Sequence, residues 1–148
     1  MNQPLFIRSR DNTLVKELKK LSADSTEYRK QQRVWVEGDH LLRAALARGV
    51  RPVLGVFSES YWPVAQVQSS HAAIKNLVLT DALFDSVSAL ESPARMGFVF
   101  DLAVAAPFRP DQACVVLDRL QDAGNVGAIL RSASAFGFSP AAFSFFAS

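Results

Sequence analysis

Apolar positions in the first half of the chain repeat at two intervals, and the intervals assign the elements. Leu14, Val15, Leu18 and Leu21 fall on one side of a 3.6-residue wheel behind an N-cap supplied by Asp11-Asn12, which predicts a helix. A second, short helix is expected near Asp24, with Glu27 three residues on as the partner of a capping box. Val34-Trp35-Val36 reads as a strand closed by Glu37-Gly38. Asp39 is expected to cap a helix with Leu41, Leu42, Ala45 and Leu46 on one side, stopped by Gly49. The alternation continues with a buried strand at 52–57, a weaker helical pattern over 62–70 and a strand at Leu77-Val78-Leu79. A helix from Asp81 to Leu90, with Leu83, Val87 and Leu90 aligned, and a strand at Phe98-Val99-Phe100 with Leu102 complete it. Strands separated by helices predict an α/β fold, a small mostly parallel sheet flanked by helices, ending near residue 104.

A second unit follows. Residues 105–111 hold two prolines within four positions, which favours an extended linker. Ala113-Cys114-Val115-Val116-Leu117 reads as a continuous apolar strand, Asp118 to Gly124 as a polar loop, and Asn125 to Phe136 as a helix. Val126, Ile129, Leu130, Ala133 and Phe136 form the apolar side of that helix, and Gly137 is its C-cap. The expected division is therefore 1–104, a linker at 105–111, and 112–148.

Composition narrows the class. Hydrophobic residues make up 49% of the 148 and charged residues 20%, a folding composition. No apolar run reaches the ~20 residues of a membrane span, and residues 1–8 lack the apolar stretch of a signal peptide, so a cytoplasmic protein is the expectation. A single cysteine, Cys114, excludes an internal disulfide, and no metal-ligand constellation is present. Cys114 is expected to be a buried inert thiol, and His40 and His71 to be surface residues.

Charge changes the picture more. The net charge is +2, but residues 1–51 carry 11 Lys/Arg against 6 Asp/Glu, and the remainder carries 5 against 8. Eight cations, Arg8, Arg10, Lys16, Lys19, Lys20, Arg29, Lys30 and Arg33, lie within 26 residues, with Tyr28 and Trp35 beside them as candidate stacking partners. A polyanion-facing surface and an ordinary solvated face both fit this pattern, and Trp35, inside a strand, also reads as core.

The loop after residue 117 is the other chemical candidate. A strand, a Gly-containing loop and a helix start can hold a phosphate or ribose, but neither a Walker A sequence nor G-x-G-x-x-G is present. A plain turn, with Gly124 at positive φ and Asn125 as N-cap, fits as well. Arg131 stands opposite the apolar stripe among Gly127, Ala128 and Ala135, which leaves a flat patch around one guanidinium.

These residues carry a resemblance. Leu117-Asp118-x-x-Gln121-Asp122-x-Gly124-Asn125-x-Gly127-Ala128-Ile129-x-Arg131-Ser132-Ala133 resembles the first signature motif of the SpoU (TrmH-type) RNA 2′-O-ribose methyltransferases, with Ala123 where the family usually has proline. Ser9-x-Asp11-Asn12-x-x-Val15-Lys16-x-Leu18, Arg29 and Val36-Glu37-Gly38-x-His40-Leu41-Leu42 are similar to that family's RNA-substrate-binding domain, a ribosomal-protein-like α/β module. The resemblance implies methyl transfer from S-adenosylmethionine to a ribose 2′-hydroxyl of rRNA or tRNA, with Asn125 and Arg131 in the catalytic site. It implies RNA contact through Arg8, Arg10, Asn12, Lys16, Lys19, Lys20, Arg29 and Arg33, and dimerisation through a trefoil-knotted catalytic domain. The family's second and third motifs, which build the cofactor site in that knot, do not occur before Ser148, 11 residues past Gly137. The expectation is a truncated enzyme holding the first βα unit of an incomplete knot domain, with no cofactor-binding residues and more capable of RNA binding than of catalysis. The alternative is a non-catalytic RNA-binding module of the same fold.

Overall fold

A computed structural model describes residues 3–102, 111, 113–117 and 122–138. The chain divides into two compact units, Met1–Ala103 and Val104–Ser148. The expected linker, the loop at 118–121 and the apolar tail from Ser139 onward lie largely or wholly outside the described residues.

The first unit is built on one five-stranded sheet. In chain order it comprises β1 (Leu5–Ile7), α1 (Thr13–Ala23), α2 (Glu27–Gln31), β2 (Arg33–Glu37) and α3 (Asp39–Leu46). There follow β3 (Leu54–Ser58), α4 (Trp62–Gln68), a 3-10 turn at Ser70–Ala72, β4 (Lys75–Leu79), α5 (Asp81–Val87) and β5 (Met96–Asp101). The strand order is β1-β4-β3-β5-β2. The α/β class with flanking helices stands, but the sheet is mixed. β1, β4 and β3 run parallel, while β5 lies antiparallel to both β3 and β2. Apolar alternation reads which residues face a core but not strand direction, so the mixed topology was invisible in the pattern. β1 was not anticipated either. Three residues are too few to show a period, and the strand exists through its pairing with Leu77–Leu79.

Side-chain alternation divides the core in two. On one side Ile7, Val56, Leu77, Leu79 and Val99 meet Val15, Leu18 and Leu21 of α1 and Leu83, Phe84 and Val87 of α5. On the other, Phe57, Met96, Phe98 and Phe100 meet Leu42 of α3, Ala65 of α4 and Ala72. β3 shows the division within two residues, with Val56 in one cluster and Phe57 in the other, both fully buried. Burying a side chain of that size contributes roughly 1.5–3 kcal/mol.

Several terminal details differ from the sequence reading. Asn12 caps α1 as expected, its Oδ1 accepting the Leu14 N–H at 2.9 Å. The capping box at α2 does not form. Asp24 instead accepts from the Thr26 N–H at 2.8 Å and the Thr26 hydroxyl at 2.7 Å, while buried Glu27 takes Lys30 and Gln31, both at 3.2 Å. The N-cap of α3 is Gly38, at φ +93°, and Asp39 sits in the first turn paired with Arg43 four residues on. α5 stops at Val87 with Leu83, Phe84 and Val87 buried, and Leu90, beyond its end, is half exposed.

Glu37 and Trp35 lock β2 to the rest. Glu37 Oε1 accepts from the Trp35 indole N–H at 2.9 Å and the Ala89 N–H at 2.7 Å, and Oε2 accepts from the Ser88 hydroxyl at 2.7 Å. The Glu37-Gly38 signature is thus a clamp between β2 and the segment leaving α5. The Trp35 indole packs 6.5 Å from the Phe84 ring and lies over Gly97, where an added Cβ would overlap it. Gly97→Val is expected to cost roughly 1–3 kcal/mol by overpacking. Urea unfolding checks this, and Trp35→Leu in the same chain should recover part of the loss.

The second unit contains α6 (Ala123–Ala135), ended by Gly137 at φ +75°. Ala113 to Val116 take no regular strand, and Cys114 is half-buried where a buried thiol was expected. Val126, Ile129, Leu130 and Ala133 are half-buried, whereas Phe136, just past the helix, is exposed.

Candidate nucleic-acid interface

α1 positions most of the basic residues. Its buried stripe of Val15, Leu18 and Leu21 turns Lys16 and Lys20 to the exposed side, with half-buried Lys19 at the border. Arg8 and Arg10 occupy the turn between β1 and α1. That turn is shaped by the Ser9 hydroxyl accepting the Asp11 N–H at 3.2 Å and by the Asn12 cap. Asn12 therefore works first as a cap. Its Oδ1 is engaged in the cap, and its amide group keeps two N–H donors.

The eight cations are not equivalent. Arg8 pairs with Glu59 at 2.7 Å, Lys16 with Asp11 at 3.3 Å, Lys30 with Glu27 at 3.2 Å and Arg33 with Asp101 at 3.0 Å. Arg33 and Asp101 are also register partners across β2 and β5, so this pair closes the far edge of the sheet. The Arg29 guanidinium lies 5.5 Å from the centroid of the Tyr28 ring and donates to its hydroxyl at 2.9 Å. Tyr28 thus already carries a cation on its ring, and its partly buried side packs on the core. Trp35 is a core residue whose N–H is engaged, and it is no stacking platform. Among the described residues, four of the eight, Arg10, Lys19, Lys20 and Arg29, form no ion pair.

Two of these four, Arg10 and Lys19, meet again. Arg8, Arg10 and Lys19 line a recess of about 290 Å³ with Thr80, Ala82, Leu83 and Ser86. The four partners lie some 60 or more residues further along the chain. No sequence signal marked them; only the sheet brings them to the basic turn. Behind the recess wall, Asp81 accepts the Ser60 N–H at 3.1 Å. That hydrogen bond, with Ser60 hydroxyl and Arg95 contributions, holds its carboxyl below the usual range. Thr26 does the same for Asp24, through its backbone N–H first, and Gln31 and then Lys30 for Glu27.

In the second unit the candidate pair sits on one helix. Asp122, not Asn125, is the N-cap of α6: its Oδ1 accepts the Asn125 N–H at 2.9 Å. Gly124 is not at positive φ; it leaves room for the Asp122 carboxylate, which would stand 2.9 Å from an added Cβ. The Asn125 side chain is thereby left exposed. Arg131 is exposed as well, with its Nη1 folded back over Gly127. Arg131 lies six positions after Asn125 on the helix, so the two point about 120° apart around the axis and stand about 9 Å apart along it. His40 and His71 are exposed, as expected, and the described residues contain no cluster suited to a metal ion. No described helix is long and apolar enough to cross a membrane.

Residues 12–96, more than half the chain, match the MRM3-like substrate-binding domain. The chain belongs to the MRM3-like substrate-binding domain family. Its relatives extend the match to RNA methyltransferases. An uncharacterized tRNA/rRNA methyltransferase of Synechocystis sp. is 34% identical over 139 residues, covering 88% of this chain and 49% of the relative. A crystal structure of an RNA 2′-O ribose methyltransferase matches with a TM-score of 0.68 at 25% identity, covering 97% of this chain and 57% of the other. The SpoU methyltransferase AviRb of Streptomyces viridochromogenes, solved with AdoMet, shares the fold with a TM-score of 0.71 at 18% identity, over 89% of this chain and 52% of that one. The MRM3-like chain thus spans about half the length of the relatives it matches.

The depressed carboxyls of this substrate-binding domain set a pH dependence. A carboxyl with a lowered folded pKa contributes stability above its unfolded value near ~4, and that stability is lost as pH falls through the folded value. Asp81→Asn is therefore expected to flatten the loss of stability below about pH 4 while changing its slope little at neutral pH. Thermal unfolding across a pH series checks this.

Proposed function

We propose that this chain is the RNA-recognising part of an S-adenosylmethionine-dependent RNA 2′-O-ribose methyltransferase acting on rRNA or tRNA. The observation that carries the RNA reading is the convergence of cations lacking ion pairs on the α1 side of a domain whose family is defined by substrate binding. Arg8, Arg10, Lys16, Lys19 and Lys20 supply phosphate contacts, and the Asn12 amide adds a donor from the α1 cap. Arg29, held at Tyr28, and Arg33, on β2 at the sheet edge, contribute at the flank. Contacts of this kind give affinity that falls with salt and selects weakly for sequence. A synthetic RNA stem-loop titrated by filter binding across a salt series is expected to show a linear fall of log affinity with log salt. A flat response would overturn the RNA reading. The cofactor motifs named by the sequence resemblance do not occur in these 148 residues, so titration of this chain with S-adenosylmethionine is expected to give no uptake.

For the chemistry on the RNA side, Arg131 and Asn125 take different roles. A guanidinium stays protonated, so Arg131 is not the base for the 2′-hydroxyl. It grips the neighbouring phosphate and stabilises the developing alkoxide, with its guanidinium lying over Gly127, where no Cβ stands in its way. Asn125, freed from capping by Asp122, offers its amide to RNA or to an adjacent loop. In the whole methyltransferase, Arg131→Ala is expected to lower single-turnover methylation on the order of 10²-fold with little change in RNA affinity. An unchanged rate would remove Arg131 from the reaction.

A further inference from the structure

We propose that the recess between the β1–α1 turn and α5 is a seat for one backbone phosphodiester of RNA, held by Arg10 and Lys19 and completed by Arg8. The proposal rests on the RNA reading above and assigns its anchoring contact. The lining supports it by what it contains. Three cations and two hydroxyls surround a floor of Ala82 and Leu83, and neither a carboxylate nor an aromatic ring is among the lining residues. A base or nucleoside site needs a stacking face or edge-reading amides, and here there is neither. At about 290 Å³ the recess also lies at the lower limit of small-ligand pockets, roughly 300–1,000 Å³. What remains is a compact anion approached from an open side.

The neighbouring polar groups agree. Thr80 Oγ1 accepts the Leu83 N–H at 3.3 Å, which leaves its hydroxyl proton to donate outward. Ser86 donates to the Leu83 carbonyl at 2.7 Å and offers the recess no donor. The acids nearby are turned elsewhere: Asp81 to the Ser60 N–H and Asp11 to Lys16. Glu59 is the exception, because it holds Arg8 at 2.7 Å. That pair is exposed, with side-chain exposures of 73% and 43%, so solvent screens it and it yields to a phosphate that can take a bidentate arginine. Glu59 thus tempers the site by competing for one of its three cations.

The test uses the whole chain, an RNA stem-loop and the variants Arg10→Gln, Lys19→Gln, their double, and Glu59→Gln, with Arg43→Gln on α3 as the control. The double variant is expected to bind at least tenfold more weakly and to lower the salt slope by about one unit, the signature of one lost phosphate contact. Glu59→Gln is expected to tighten binding, and Arg43→Gln to leave both readings unchanged. Replacing single linkages of the RNA by neutral methylphosphonates should find one position that weakens the wild-type chain but not the double variant. Wild-type binding with a salt slope that the double variant keeps would overturn the seat and leave the RNA reading standing. Wild-type indifference to RNA would overturn both. Inorganic phosphate or a nucleoside monophosphate binding as tightly as the stem-loop would assign the recess to a small anion and overturn the proposal.

Discussion

Three backbone pairings, Leu5↔Leu77, Phe6↔Val78 and Ile7↔Leu79, hold the basic end of this protein together. Because β1 and β4 run parallel in that register, both strands finish at the same edge of the sheet. Arg8 leaves one strand where Thr80 leaves the other, and the helices that follow, α1 and α5, return over the same face. A shift of one residue would turn Ile7 out of the core and move the arginines away from α5. Ile7 is buried while Leu5 and Phe6 are about half exposed, so one side chain and a short ladder carry this edge. Ligands of open α/β sheets commonly bind beyond the carboxyl ends of parallel strands, and the recess occupies that position.

The second organising constraint is neutralisation. Counting charges along residues 1–51 suggests one basic surface, but the structure sorts the cations by their neighbours. Lys30 and Arg33 are tied to Glu27 and Asp101, which are structural partners within a helix and across a sheet edge. Arg10, Lys19, Lys20 and Arg29 keep their charge without an ion pair among the described residues, and Arg8 is held by an exposed glutamate. Electrostatic attraction for a polyanion depends on this unbalanced remainder. The N-terminal signature divides in the same way. Asn12, Glu37 and Gly38 cap a helix, clamp β2 and start α3, while Lys16 extends from the helix they help to fix.

The sequence alone determined the parts governed by local physics. The spacing of Val15, Leu18 and Leu21 required an amphipathic helix, Asn12 its cap, Gly137 the end of α6, and the alternating apolar runs an α/β core. The specific motifs around Glu37-Gly38 and Asp122 to Ala133 carried the family. The tertiary structure decided the rest, because it depends on contacts between distant residues. The direction of β5 makes the sheet mixed, and pairing creates β1 from three residues without a period. Asp122 displaces Asn125 as a cap through geometry that two polar residues three positions apart leave open. The recess joins Arg8, Arg10 and Lys19 to Thr80 and Ser86 only because parallel strands deliver them to one edge, a proximity that no local pattern encodes.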